Sequence, residues 1–369
     1  MKHLFTTTAS AIILACAGTP NAFATPSHFY AGGISANNIA VMQHSILSTA
    51  MISGDRLSSA IFNPAASTAQ TAPSPAKDNV DPKTLYGHAQ MYGTAPLYGE
   101  FNDDGTAHGR SGGDAPALGS MWLAWQHFGN DTKFDDIALM DSKMDLVMLG
   151  LAGNKEPFSK GMTEWGLYAG HVGSEQKNNE LLIDEKGGFF GVYKKFSFGN
   201  FNLLSAFDGG VLTSSAETLM GSDSYTNIWT GGAINMNYNI ILDDTFTIQP
   251  GIYVGYTWIQ DTEYTSTSGD RIDTDHFHMF EISPSVRAIK HIGNNWFGAL
   301  HAKYVSFVSA GGDIDVNGVG IADIDHNGFA EYGLTIEKTI DRFDISANIG
   351  RRDGAHTGWI GGMNLKYLF

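Results

Sequence analysis

"TFTIQPGIYVGYTW", residues 245 to 258, decides how this chain folds. Phe246, Ile248, Pro250, Ile252, Val254, Tyr256 and Trp258 fall on one face, and Thr247, Gln249, Gly251, Tyr253, Gly255 and Thr257 on the other. A period of two is the signature of a strand. The run is longer than the about 9–11 residues that carry a tilted strand across a bilayer. A soluble sheet shows the same period, so the medium touching the apolar face must be read from the rest of the chain.

Further segments repeat the pattern. "RFDISANIGRR" sets Phe343, Ile345, Ala347 and Ile349 against Asp344, Ser346, Asn348 and Gly350; "AEYGLTIEK" sets Tyr332, Leu334 and Ile336 against Glu331, Gly333, Thr335 and Glu337. Ile234, Met236, Tyr238 and Ile240 alternate with Ala233, Asn235, Asn237 and Asn239. Less regular members begin near Met121, Lys143, Thr163, Gly188, Phe201, His278 and Asn295, and "TGWIGGMNLKYLF" ends the chain with Trp359, Gly361, Met363, Leu365, Tyr367 and Phe369 on one parity. That makes twelve segments, an even number, as bacterial outer-membrane barrels have.

The second faces carry Glu, Asp, Asn, Thr, Lys and Gly, which a soluble barrel would have to bury. In a membrane barrel the faces are exchanged: apolar residues meet lipid and polar ones line the lumen. Trp258, Trp296, Trp359 and Tyr367 near strand ends suit interfacial girdles, and closure leaves no backbone edge in lipid. The expected fold is therefore all-β, a twelve-stranded antiparallel transmembrane β-barrel over residues 119–369, with lumen-facing charges at Arg287, Lys303, Glu331, Glu337, Asp344 and Lys366.

Composition agrees. The chain has 369 residues, Lys+Arg 22 against Asp+Glu 38, and a net charge of -16, which argues against a nucleic-acid partner. Glycine is 44 of these residues and aromatics are 12%, as tightly packed strands require. The N-terminus reads as a signal peptide, residues 1–24, whose small-x-small pair Ala22 and Ala24 precedes Thr25. Lipoprotein processing at Cys16 is the weaker reading because Leu14 is bulky for that signal. Cys16 is the one cysteine in the chain, so the mature protein is expected to carry neither disulfide nor thiol chemistry.

Residues 25–62 form an N-terminal stub and a helical segment. Ile39, Met42, Ile46, Ala50, Leu57 and Ile61 recur at helical spacing among Ser, Thr and Gln, which suits a small-residue α-helix lying in a polar tube and gripping its wall through Asp55 or Arg56. Asn37-Asn38 at its expected start reads as a cap. Residues 63–118 are a Pro/Ala/Gly-rich linker with Tyr-Gly repeated at Tyr86, Tyr92 and Tyr98.

In their order, "MWLAWQHFGND", "DLVMLGLAG", "TEWGLYAGHVG", "FFGVYKKFSFGNFNLLSAFDGG", "FTIQPGIYVGYTW", "FAEYGLTIEKTIDRFDISANIG" and "GGMNLKYLF" resemble the C-terminal translocator barrel of autotransporters, the type V secretion proteins of Gram-negative bacteria. The resemblance implies a helix threaded through a twelve-stranded barrel in the cell outer membrane and a passenger displayed at the cell surface. It also implies a terminal strand, with Leu365, Tyr367 and Phe369, read by the barrel assembly machinery, and makes Asn37-Asn38 a possible self-cleavage junction. The chain departs from the pattern in one respect: only a short stub precedes the helix, and no repeat of 20 to 50 residues stands for a β-helical passenger.

Chemistry-bearing motifs are few. Asp313, Asp315, Asn317 and Gly318, then Asp323, Asp325, Asn327 and Gly328, repeat Asp-x-Asp-x-Asn-Gly as calcium loops do, but Ile324 and Leu334 occupy the position of the bidentate Glu, so acidic hairpins with Asn-Gly turns are the better reading. Asp275-His276 and Asp325-His326 lack a second carboxylate pair for water activation, and no His-x-Ser lies on an outward strand face. No enzyme activity, metal or cofactor is expected. The expected partners are outer-membrane lipid and the assembly machinery, around a monomeric barrel.

Overall fold

A computed structural model describes residues 30–53, 57, 118–134, 138–158, 161–218, 221–320 and 328–369. The signal segment with Ala22 and Ala24, Asp55 and Arg56, the linker up to residue 117, and Asp323, Asp325 and Asn327 lie outside the described residues. A single described helix, α1 (Ala31–Ser53), precedes the strands β1 (Leu118–Phe134), β2 (Ala138–Gly153), β3 (Glu156–Phe158), β4 (Gly161–Lys177), β5 (Leu181–Phe198), β6 (Phe201–Thr218), β7 (Gly221–Tyr238), β8 (Ile240–Asp243) and β9 (Phe246–Ile259). There follow β10 (Thr262–Thr265), β11 (Arg271–Thr274), β12 (Phe277–Gly293), β13 (Trp296–Gly311), β14 (Ile314–Val316), β15 (Val319–Gly320), β16 (Phe329–Ile340), β17 (Phe343–Gly354) and β18 (His356–Leu368).

The wall is a closed, antiparallel barrel of twelve strands: β1, β2, β4, β5, β6, β7, β9, β12, β13, β16, β17 and β18. Each pairs with its sequence neighbour, and β1 pairs β18 from Ser120↔Leu368 to Thr132↔His356, which removes the last edge. β3 extends the wall beside β4, and β8 continues β7 past Asn239 along β9.

The two faces fall as the alternation requires. Ile252, Tyr256, Tyr332, Leu334, Ile336, Phe343, Ile345 and Ile349 are exposed on the outside, whereas Thr247, Gln249, Thr257, Glu331, Glu337, Asp344 and Lys366 are buried in the interior. An outward surface this apolar has no favourable contact with water and is patterned as the outside of an outer-membrane barrel is. No described helix is long and apolar enough to cross a membrane.

Two features exceed the expectation. On β1 to β7 the strands begin or end well beyond the apolar band, and there the pattern inverts: Met140, Leu181, Ile183, Ala216 and Tyr225 point inward, while Asp141, Asp184, Lys186 and Glu217 point outward. That portion is patterned like a soluble sheet, so β5 starts at Leu181 rather than near Gly188 and β7 at Gly221. The other concerns close packing inside: Trp122 lies over its cross-strand partner Gly150, Tyr168 over Gly191, and Trp229 over Gly210, each glycine leaving the space that the ring fills.

Above the rim, β10, β11, β14 and β15 form a separate four-stranded sheet. It is held to β7 by Thr262 Oγ1 donating to Asn227 Oδ1 at 2.7 Å, by the Thr267 amide and hydroxyl donating to Asp223 Oδ1 at 2.7 Å, and by the Tyr264 and Tyr225 rings stacked at 4.9 Å. Its Ile272, Ile314 and Val316 join Ala31 and Ile34 of α1 in one apolar cluster. The loop end of the barrel therefore carries a lid seated on the first turns of the helix.

Candidate functional site

The lumen and the helix inside it are the site. α1 spans 23 residues, about 35 Å at 1.5 Å per residue, and all but Asn38, Ser48 and Ile52 are buried. Its composition explains the fit: Ala, Gly and Ser give a narrow cylinder, while Ile39, Met42, Ile46 and Leu47 fill the wall's recesses. The helix begins at Ala31, six residues before the expected start, so Asn37-Asn38 is not a cap. Asn37 instead donates Nδ2–H to Gly33 O at 3.0 Å within the helix, and Asn38 reaches the wall, donating to Ser174 Oγ at 2.9 Å and to Glu185.

The helix runs in one direction. Its N-terminal end packs on Leu181, Ile183 and the lid, at the loop end; Leu57 packs on Ile289, Phe297 and Ala299 at the turn end, where its amide donates to Glu337 Oε2 at 3.2 Å. Both ends of the wall, Leu118 and Leu368, also lie at the turn end.

The lumen is not the uniformly polar tube that strand alternation suggests. Trp122, Leu146, Met148, Tyr168, Val172, Phe189 and Trp229 make the β1–β7 half apolar, and the helix lies against it. Single polar residues punctuate that dry contact. Gln43 donates to Asp208 Oδ1 at 2.7 Å, and Tyr168 donates to the other oxygen at 3.3 Å. Ser35 Oγ lies 2.7 Å from the Tyr225 hydroxyl, which donates to Ala31 O at 3.0 Å.

The opposite half holds a linked set of charges that meets the helix. Lys303 Nζ lies 3.0 Å from His44 Nε2, and because an ammonium can only donate, the imidazole is neutral and gives its Nδ1 proton to Glu281 at 2.8 Å. Lys303 also pairs with Glu331 at 2.9 Å, and Glu331 with Arg352 Nε at 2.9 Å. Such a set is costly to bury unless every member is paired, and one helix histidine completes it. Loss of the imidazole would leave Lys303 to Glu331 and Glu281 to Ser283, each one hydrogen bond short, at about 1–3 kcal/mol.

Of the lumen charges read from the sequence, Lys303 is brought to α1 and Glu337 to Leu57, Glu331 is linked to the helix through Lys303, and Arg287, Asp344 and Lys366 line the wall. Asn38, Gln43 and His44 were not singled out as wall partners, nor were Glu185, Asp208 and Glu281. The available signal was a polar residue inside an otherwise small, apolar helix. The first acidic motif forms the β14–β15 hairpin: Asn317 and Gly318 take φ of 56° and 84°, Asp315 Oδ1 accepts the Gly318 amide at 2.5 Å, Asn317 Oδ1 accepts the Arg271 amide at 2.9 Å, and the Asp313 carbonyl accepts the Asp275 amide at 3.0 Å. Those oxygens serve the turn. Among the described residues no group of three His, Cys, Asp or Glu is placed to hold a metal ion. The His276 ring meets that of His278 edge-on at 5.0 Å. Leu365, Tyr367 and Phe369 share the outward face of the last strand, with Phe343, Tyr367 and Phe369 in ring contact at 5.0 and 5.4 Å.

No known protein family and no curated protein matches the sequence. Solved structures do match the fold. The beta domain of the Bordetella autotransporter BrkA is 13% identical with a TM-score of 0.57, over 69% of this chain and 100% of that one. The transport unit of the autotransporter AIDA-I from Escherichia coli is 12% identical with a TM-score of 0.53, over 78% of this chain and 97% of that one. The translocator domain of autotransporter NalP from Neisseria meningitidis is 12% identical with a TM-score of 0.53, over 69% and 90%. The chain has the fold of autotransporter translocator barrels.

Proposed function

We propose that the chain is an outer-membrane barrel of autotransporter type, which carries a short N-terminal segment through its lumen and presents it at the cell surface. The observation behind this reading is the direction of α1: its N-terminal end sits at the loop end, and its C-terminal end at the turn end with both ends of the wall. That direction is the one expected of a chain whose N-terminus has passed through the barrel, and it supports the reading. In this reading the turn end faces the periplasm, the barrel acts as a monomer in lipid, and the assembly machinery reads Leu365, Tyr367 and Phe369. The chain is a conduit and performs no catalysis.

An epitope tag between Thr25 and His28, probed with antibody on intact cells, tests the proposal. Surface labelling is expected. Labelling only after the outer membrane is permeabilised would place the N-terminus in the periplasm and overturn it.

A further inference from the structure

The outer face of the β1–β18 seam carries cations where the apolar belt stops. Leu334, Ile349 and Trp125 are exposed near its edge. The next outward positions toward the loop end form one register row, Tyr332–Arg351–Trp359–Gly129–Lys143, across β16, β17, β18, β1 and β2. On the turn side of that row Gly361 stands between Ile349 and His127.

Arg351 lies over the Trp359 ring at 5.6 Å, and Trp359 keeps 58% of its surface. His127 stacks on Trp125 at 6.3 Å and meets Asp145 at 3.0 Å. Lys177 takes Asp141 and Glu175, and among the described residues no carboxylate pairs with Arg351 or Lys143. Between these two cations the wall is hollow. A Cβ at Gly129 or at Gly361 would approach no neighbouring atom closer than 3.8 Å and 3.6 Å respectively.

A cation at the lipid edge is accommodated where headgroup anions reach it, and a guanidinium laid on an indole keeps its donor edge for a phosphate. Arg351 and Lys143 stand three strand spacings apart, about 14 Å at ~4.8 Å each. A single phosphodiester reaches one of them. A ligand with two phosphates on a flat sugar core reaches both and lays that core over Trp359 and the glycine hollow.

We infer that this patch binds a phosphorylated glycolipid of the outer leaflet, with Arg351 and Lys143 on its phosphates, Trp359 against a sugar ring and the acyl chains running down over Gly361. The inference rests on the reading that the loop end faces outward. Asp131 and Asp353, exposed one row farther out, mark the upper limit of the site. Because the occupant spans β17, β18, β1 and β2, it also holds the seam closed.

The test uses the full chain, folded in detergent with EDTA present throughout, and two probes, diphosphorylated lipid A and phosphatidylglycerol. Bound lipid is read by native mass spectrometry, and seam stability by the heat-dependent shift in gel mobility. Lipid A should bind and raise the temperature of that shift, and phosphatidylglycerol should bind about tenfold more weakly. Arg351→Gln and Lys143→Gln should each weaken lipid A binding by about tenfold. Lys338→Gln, which removes a comparable cation from over Trp296 at the turn end, should leave it unchanged. Two results overturn the inference: equal binding of the two probes to the parent protein, which needs no variant, or lipid A binding that survives the Arg351→Gln and Lys143→Gln double exchange. The epitope test of the N-terminus is separate, since a periplasmic tag would overturn the orientation while binding to the purified barrel holds or fails by itself.

Discussion

Single residues here act mostly by the space they leave or fill. A Cβ at Gly191 would fall inside the Tyr168 ring, which is fully buried and also holds Asp208. Gly191→Val should therefore destabilise the barrel by about 1–3 kcal/mol, as overpacking does, and lower the urea midpoint of the gel-mobility shift; an unchanged midpoint would show that the ring can yield. Asn37 illustrates the opposite constraint. Its side-chain amide is engaged with Gly33 O, back along the helix and away from its own carbonyl, which an Asn must attack to cut the chain after itself. The mature protein should consequently show an intact mass across Asn37-Asn38, and a fragment beginning at Asn38 would refute that. Much at this scale was legible, since every lumen charge read from the alternation faces inward. Gln43, His44 and Asn38 were not legible, because a polar residue on a helix gives no sign of which carboxylate, some 147 to 237 positions away, will receive it.

Elements obey the medium they lie in. Within the apolar band the strands show their lipid face plainly, and their existence and order could be read from the period of two. Beyond it, on β4 to β7, inward Leu181, Ile183 and Ala216 oppose outward Asp184, Lys186 and Glu217, so the apolar parity reverses within one strand and hides its true length. The lid is a third case, because its strands are only two to four residues long and carry too little pattern to be seen. Its chemistry is nonetheless distinct: Glu263, Asp273 and Asp315 stand directly opposite one another across β10, β11 and β14. Partial burial and then Glu263 hold the Asp273 carboxyl above its usual range, with Asp275 and Asp261 adding and Arg271 opposing. A carboxyl raised in the folded state weakens the fold when ionised, so this penalty is present above the folded value and disappears as pH falls below the unfolded one. The lid should thus be better protected at acidic pH than at neutral pH, read as the exchange of its amides relative to the intrinsic rate at each pH. Equal protection at both would remove the like-charge account.

For the whole molecule, the sequence supplies the barrel and the direction of its faces, but the lumen is decided by tertiary packing. The half-apolar interior follows from Trp122, Tyr168 and Trp229 lying over glycines on neighbouring strands, and a period of two counts such rings as exceptions rather than as a second core. The asymmetry sets the helix to one side, leaves the charged half free for polar contacts, and gives the loop end a water-soluble collar on one side of the rim.

The seam between β1 and β18 has its own consequence for how such a wall forms. It joins Thr132 to His356, residues 224 positions apart, and extends through thirteen register pairs to Ser120 and Leu368. Every other wall contact is between sequence neighbours and can zip locally, whereas this one must wait for both termini of the sheet to meet. Until they do, the curled sheet keeps two raw edges, each a template for a foreign strand. Folding therefore ends on its longest-range step, and the interval before it is when the chain is most exposed to joining another copy of itself.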